Sequence, residues 1–193
     1  MSPVTLVEAV RVAPTRWRNG GGLTRELLVV PAPAASGAAW RLRVSVAEIA
    51  LDGPFSAFPG ITRWFAVIDG AGVDLVWPDH RQRQTQAAAP LRFDGGTPPE
   101  CALVAGPTRD LNLMVDARFG AIGLHRAAAG VARAGRRGPR GLFTGVAARL
   151  HRDGHPPQAL PRDSLLWCGE GERRAWTLEP LAEGPLFWID EAF

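Results

Sequence analysis

The sequence has no lysine, no tyrosine, two cysteines, two methionines and four histidines in 193 residues. Each shortage removes a class of chemistry. Without lysine, the Gly-x-x-x-x-Gly-Lys phosphate cradle cannot be built. Arginine therefore supplies all 22 positive charges, and the pI near 10.0 reflects a guanidinium that never loses its proton. The net charge is only +3, with 19 acidic residues interspersed, so the balance does not point to a polyanion partner. Cys101 and Cys168 stand far apart with no Cys-x-x-Cys, which reads as two buried thiols rather than a disulfide.

His80, His125, His151 and His155 form no His-x-His. The His151–His155 spacing would suit a helix, but Arg152-Asp153-Gly154 and Pro156-Pro157 make a turn there, so no metal or cofactor is expected. There is no Gly-x-Ser-x-Gly, and both cysteines lie in apolar runs, so no nucleophile is expected either. The longest apolar run, Leu27 to Trp40, is broken by Pro31 and Pro33, which excludes a membrane-spanning helix. The opening MSPVTLVEAVRVAP lacks a basic start and an apolar block, and a cytoplasmic protein without a membrane partner is expected.

Glycine and proline are abundant, about a fifth of the chain together, and leave little room for long helices. Alternation dominates instead. In Trp40-Arg41-Leu42-Arg43-Val44-Ser45-Val46-Ala47 the even positions are apolar and Arg41, Arg43 and Ser45 share the other face, as in a half-buried strand. Similar runs occur at Val4–Val12, Leu23–Val30, Trp64–Ile68, Val73–Trp77, Cys101–Ala105 and Leu111–Val115. Later ones are Ala121–Arg126, Val146–His151, Ser164–Cys168, Ala175–Leu178 and Leu186–Asp190. Asn19-Gly20 and the Asp-Gly pairs at 52, 69, 94 and 153 supply tight turns between them. The fold class is all-β with few or no long helices, a sandwich or barrel of roughly a dozen strands. Residues 127–141 depart from the pattern: small, Gly-rich and basic, with Arg133, Arg136, Arg137 and Arg140. A mobile connecting loop accounts for them; a nucleic-acid contact is the alternative, and the segment lacks aromatics for base stacking.

Three segments concentrate polar groups. Trp17-Arg18-Asn19-Gly20-Gly21-Gly22-Leu23-Thr24-Arg25-Glu26 reads as a tight bend or a close backbone approach ahead of a strand, with Asn19, Thr24 and Glu26 as hydrogen-bonding groups. Gly53 to Trp64 is a rigid Phe- and Pro-rich loop whose one charge, Arg63, either presents its fork to a carboxylate or stacks at the sheet rim. In Gly106 to Met114, Asp110, Asn112 and Met114 alternate and so share one face, as a pocket wall or a solvent face.

These segments, with Trp40–Glu48, resemble the HutD/Ves family: W-R-N-G-G-G-x-T-R-E, W-R-L-R-V-S-V-A-E, G-P-F-S-x-F-P-G-I-x-R and G-P-x-R-D-L-N-L-M fall in family order from Trp17 to Met114. The resemblance implies a double cupin spanning 1–193, two fused β-barrel or jelly-roll-like lobes. The front lobe would run from about 13 to 118, and the back lobe from about 119 to 193 with the N-terminal strand 1–12. Cupins usually hold a metal through His-x-His, Glu and a later His; that set is missing here, so a metal-free pocket without cofactor is implied. The family is associated with histidine utilisation, which it is thought to moderate, and the implied ligand is a small acidic intermediate: urocanate, formiminoglutamate or formylglutamate.

Carried over by motif, the ligand-binding residues are Asn19, Thr24, Glu26, Arg43, Ser45, Arg63, Asp110, Asn112 and Met114. Arg43 and Arg63 would hold the carboxylate, because an unpaired buried charge is costly. Whether Arg43 points inward or to solvent is open. A second reading makes the protein a hydrolase or isomerase with Glu26 or Asp110 as general base. No nucleic-acid partner is expected, and a homodimer is admitted.

Overall fold

The period-two runs become strands in a computed structural model that describes residues 4–120, 122–134, 138–169 and 173–191. In chain order they are β1 (Val4–Glu8), β2 (Thr15–Arg16), β3 (Gly22–Pro31), β4 (Trp40–Ile49), β5 (Gly53–Pro54) and β6 (Ile61–Asp69). Next come β7 (Val73–Val76), β8 (Arg81–Gln84), β9 (Leu91–Asp94), β10 (Glu100–Leu103), β11 (Thr108–Asp116) and β12 (Ile122–Arg126). The rest are β13 (Arg140–Thr144), β14 (Ala148–Arg152), β15 (Gln158–Leu160), β16 (Ser164–Cys168), β17 (Trp176–Pro180) and β18 (Leu186–Glu191). Helix among the described residues is limited to three 3-10 turns of three residues each. None is long and apolar enough to cross a membrane.

The chain divides into two units, Val12–Ala121 and Met1–Arg11 with Ile122–Phe193. In the first, a six-stranded antiparallel sheet runs β2-β3-β4-β11-β6-β9 and a four-stranded sheet runs β5-β10-β7-β8. Ile49, Phe65 and Val67 from the large sheet pack with Val73, Leu75 and Cys101 from the small one, so the two sheets share one apolar core. In the second unit a five-stranded sheet, β1-β16-β13-β18-β12, shares a core with the three-stranded β15-β14-β17. Leu142, Leu166 and Trp188 meet Leu150, Trp176 and Leu178 there. The pairs of sheets are jelly-roll-like and do not close into barrels, the tighter of the two expected forms.

Two expectations are corrected. The strand over Trp40–Ala47 is not half-buried: Leu42, Val44 and Val46 are buried on one face, and Ser45 and Ala47 on the other. The cause is an inner face lined by polar groups rather than solvent. The basic segment is not a free connector either where it is described, at 127–134 and 138–141. Arg133 pairs by backbone with Trp176, and its guanidinium grips Asp190 at 2.6 Å through two hydrogen bonds. Arg140 opens β13 and is buried over the rings of Trp176 and Trp188, with its guanidinium donating to the carbonyls of Ala134 and Arg174. Arg136 and Arg137 lie outside the described residues.

Candidate functional site

The inner face of the large sheet changes chemistry along its length. At one end Ile49, Phe65 and Val67 join the apolar core. Toward the other, the same alternation presents Arg43, Ser45 and Ala47 on β4, Arg63 on β6, and Asp110, Asn112 and Met114 on β11. Register places them side by side: Asn112 lies opposite Ser45, and Met114 opposite both Arg43 and Arg63. On β3, Thr24 and Glu26 lie opposite Ala47 and Ser45, before a register shift between Glu26 and Leu28. A bulge there re-aims the strand and ends its polar stretch.

These side chains line a cavity of about 770 Å³, roofed in part by Pro54, Phe55, Ser56 and Phe58 of the Phe-Pro loop. All nine residues singled out from the sequence are among its walls: Asn19, Thr24, Glu26, Arg43 and Ser45, with Arg63, Asp110, Asn112 and Met114. Arg43 points inward, which settles the open question about its face. Thr15, Arg16, Trp17 and Arg18, which were not singled out, complete the mouth. Pairing of β2 with β3 brings them there, and two-residue β2 is too short to leave a periodic signal. Of the seven tryptophans only Trp17 lines the cavity, and its Nε1 donates to Thr24 Oγ1 at 2.8 Å.

The glycine run does two local jobs. Gly20 sits at φ +72°, in the left-handed region, while Asn19 Oδ1 accepts from the Gly21 amide at 3.0 Å. At Gly22 a Cβ would overlap the Glu48 carbonyl oxygen and press on the Trp17 ring. The run therefore lets β3 lie against β4 and seats Trp17 at the mouth.

Arg63 is the electrostatic centre. It is 7% exposed, and its guanidinium carbon lies 4.9 Å from the Phe55 ring centroid, 5.1 Å from Phe93 and 5.9 Å from Phe58. Its Nη2 donates to Asn112 Oδ1 at 3.0 Å, and Asn112 Nδ2 in turn donates to Asp110 Oδ1. Burial pulls the Arg63 pKa down to about 10, against Asp110, which raises it, and with Arg43, which lowers it further. Burial pushes the Asp110 carboxyl up to about 8, against the pull of Arg63 and Arg109. At neutral pH the inner wall thus holds a charged guanidinium and a neutral acid, while Arg43 Nε meets Glu26 Oε2 at 2.7 Å nearer the mouth. Arg63 Nε and Asp110 Oδ2 are buried without a hydrogen-bond partner. Buried polar atoms of this kind are costly to the fold.

A HutD family profile matches residues 9–184. The chain belongs to the HutD family. Over 114 residues it is 33% identical to a Pseudomonas putida protein described as an uncharacterized 21.2 kDa protein in the hutC 3' region, covering 59% of each. Over 99 residues it is 36% identical to Protein Ves of Citrobacter koseri, covering 51% of this chain and 50% of that one. The chain thus spans between half and three-fifths of the length of these curated relatives. The solved structure of HutD from Pseudomonas fluorescens SBW25 superposes with a TM-score of 0.82 at 23% identity over 97% of both chains. A Bacillus subtilis oxalate decarboxylase variant superposes at 0.64 and 11% identity over 100% of this chain and 78% of its own. The fold of this HutD-family chain is accordingly the all-β double cupin, and the family is linked to the histidine-utilisation operon.

Metal-bearing cupins raise the question of a metal in this cavity. The donor set does not fit one. Among the described residues no imidazole or thiol lines the cavity, four arginines do (Arg16, Arg18, Arg43 and Arg63), and the exposed carboxylate, Glu26, is already held by Arg43. Among the described residues no group of three or more His, Cys, Asp or Glu could hold a metal ion.

Proposed function

We propose that this HutD-family chain binds a small acidic intermediate of histidine degradation in the front cavity and thereby moderates histidine utilisation. The observation that carries the reading is Arg63: a buried cation, fixed among three phenylalanine rings, in the wall of a cavity of metabolite size. A carboxylate in that cavity gives the guanidinium a counter-charge in a partly dry site, where a charge-assisted hydrogen bond is strong. On this reading Ser45, Thr24 and Asn19 orient the remainder of the ligand; they line the same cavity, as does the Arg43–Glu26 ion pair. Arg16 and Arg18 at the mouth add positive charge that favours entry of an anion.

A catalytic reading is favoured by one observation, the Asp110 carboxyl in the cavity wall, which burial pushes up to about 8, in the range of a general base. Glu26 suits that role less, being exposed and engaged by Arg43. The two readings separate in one experiment. The protein is titrated with urocanate, formiminoglutamate, formylglutamate and glutamate, followed by thermal shift, and each compound is recovered afterwards. Saturable stabilisation by one intermediate, roughly 2.7 kcal/mol at about 100 times its Kd, with the compound intact, supports the binding reading. That is several degrees in Tm for a chain of this size. Conversion of the compound, lost in Asp110→Asn, supports the catalytic one; no response to any of the four contradicts both.

A further inference from the structure

Charge is unevenly shared among the described residues that line the front cavity. Arg16, Arg18, Arg43 and Arg63 bring four guanidiniums, against two acids, Glu26 and Asp110. Burial keeps Asp110 protonated at neutral pH, which leaves Glu26 as the ionised carboxylate of this set. It does not serve the most deeply buried cation. Arg63 takes an oxygen from Asn112, whereas Glu26 Oε2 sits 2.7 Å from Arg43 Nε. That contact is one of charge alone: Nε makes no hydrogen bond, so its N–H is not aimed at the carboxylate. The partners are also unequally placed. Arg43 is 24% exposed and Glu26 48%, and Glu26 is the last residue of β3 paired with β4 before the register shift. An ion pair with one partner half in water is weakly held. Arg43, by contrast, has a reason to keep an anion. Met114 of β11 lies opposite both Arg43 and Arg63, and the two like charges repel each other.

We propose that Glu26 is a specificity-determining residue of this cavity, an internal carboxylate that occupies Arg43 in the empty protein and yields it to an entering anion. Exchanging one carboxylate for another leaves the charge balance at Arg43 unchanged. A simple anion such as acetate therefore gains little by entering, because the guanidinium it meets is already neutralised. A ligand that also reaches Arg63 and the polar groups of β3, β4 and β11 gains more, and that surplus opens the pair. Glu26, half exposed from the start, turns its carboxylate to water at small cost when released. Which anion opens the pair rests on the metabolite reading above; the competition itself rests on Arg43 and Glu26.

Acetate tests the competition without any metabolite. The full chain as wild type, Glu26→Ala and Glu26→Gln is titrated with acetate at pH 7 and fixed ionic strength, followed by thermal shift. Glu26→Gln keeps the shape of the side chain at a half-exposed position, so it separates loss of charge from any effect of Glu26→Ala on folding. Both variants leave Arg43 uncompensated and should gain Tm saturably, at acetate concentrations at least about tenfold below those the wild type needs. Adding Arg43→Gln to Glu26→Gln should abolish the gain. An equal acetate response in wild type and variants overturns the proposal, and so does a response that survives Arg43→Gln. Calorimetric titration with urocanate and formylglutamate follows. A compound that binds the wild type should bind Glu26→Gln at least about threefold more tightly, because it no longer displaces a carboxylate. Equal or weaker binding overturns the competition and leaves the metabolite reading standing. If neither compound binds any form while acetate still separates the variants from the wild type, the metabolite reading fails and the exchange at Arg43 stands.

Discussion

The polar residues of the front cavity are held by one another as much as by the backbone. Arg63 keeps its charge because Phe55, Phe58 and Phe93 surround it with ring faces and Asn112 gives it an oxygen. Asn112 in turn is fixed between a donor-only partner and Asp110. A consequence appears in stability without any ligand. The folded chain holds the Asp110 proton up to about 8, whereas the unfolded chain loses it near the ordinary value of 3.8. Between those values the native state binds the extra proton, so this group makes stability fall as pH rises from about 4 to about 8, and has no further effect above that. Thermal melts of the wild type should therefore decline in Tm across that window relative to Asp110→Asn, with the difference widest at pH 8. Parallel melts from pH 5 to 8 would contradict the burial-driven shift.

At the scale of elements, the site is made by alternation and register. One face of β4 and β11 carries Leu42, Val44, Leu111 and Leu113, and the other carries Ser45, Asn112 and Asp110, all buried. The glycine run sets how closely β3 and β4 approach. Gly22→Ala would force a methyl onto the Glu48 carbonyl oxygen and against Trp17, and should destabilise the fold by about 1–3 kcal/mol in urea denaturation. Gly21→Ala, whose added methyl would meet only the Asn19 side chain at 3.3 Å, is the milder control. Much of this was legible in the sequence. The period of two placed Asp110, Asn112 and Met114 on one face, and the lone charge in the Phe-Pro loop marked Arg63. Periodicity could not say which face was inward, because both faces of β4 are buried and only one is apolar. Nor could it find β2 and β5, two residues each, or β13, whose opening Arg140 reads as loop until its ring partners and acceptor carbonyls arrive from elsewhere in the chain. The contact of Phe93 with Arg63 comes from pairing of β9 with β6, which no local pattern announces.

On the scale of the whole molecule, the two units spend their arginines differently. In Val12–Ala121, Arg63 faces a cavity and retains an unpartnered N–H. In the other unit, Arg133 is engaged by Asp190, and Arg140 is buried against two tryptophan rings and backbone carbonyls. Lacking lysine, the chain uses guanidinium both as a structural clamp and as a candidate ligand anchor, and burial and partnering tell the two uses apart. The central claim is that Arg63 anchors an acidic metabolite. It is tested most directly by calorimetric titration of wild type, Arg63→Ala and Arg63→Lys with whichever intermediate stabilises the wild type. Loss of about 2–5 kcal/mol of binding free energy in Arg63→Ala, with partial recovery in Arg63→Lys because an ammonium restores charge but not the fork, is the predicted result. Undiminished binding by an Arg63→Ala protein that melts as a folded chain would contradict it.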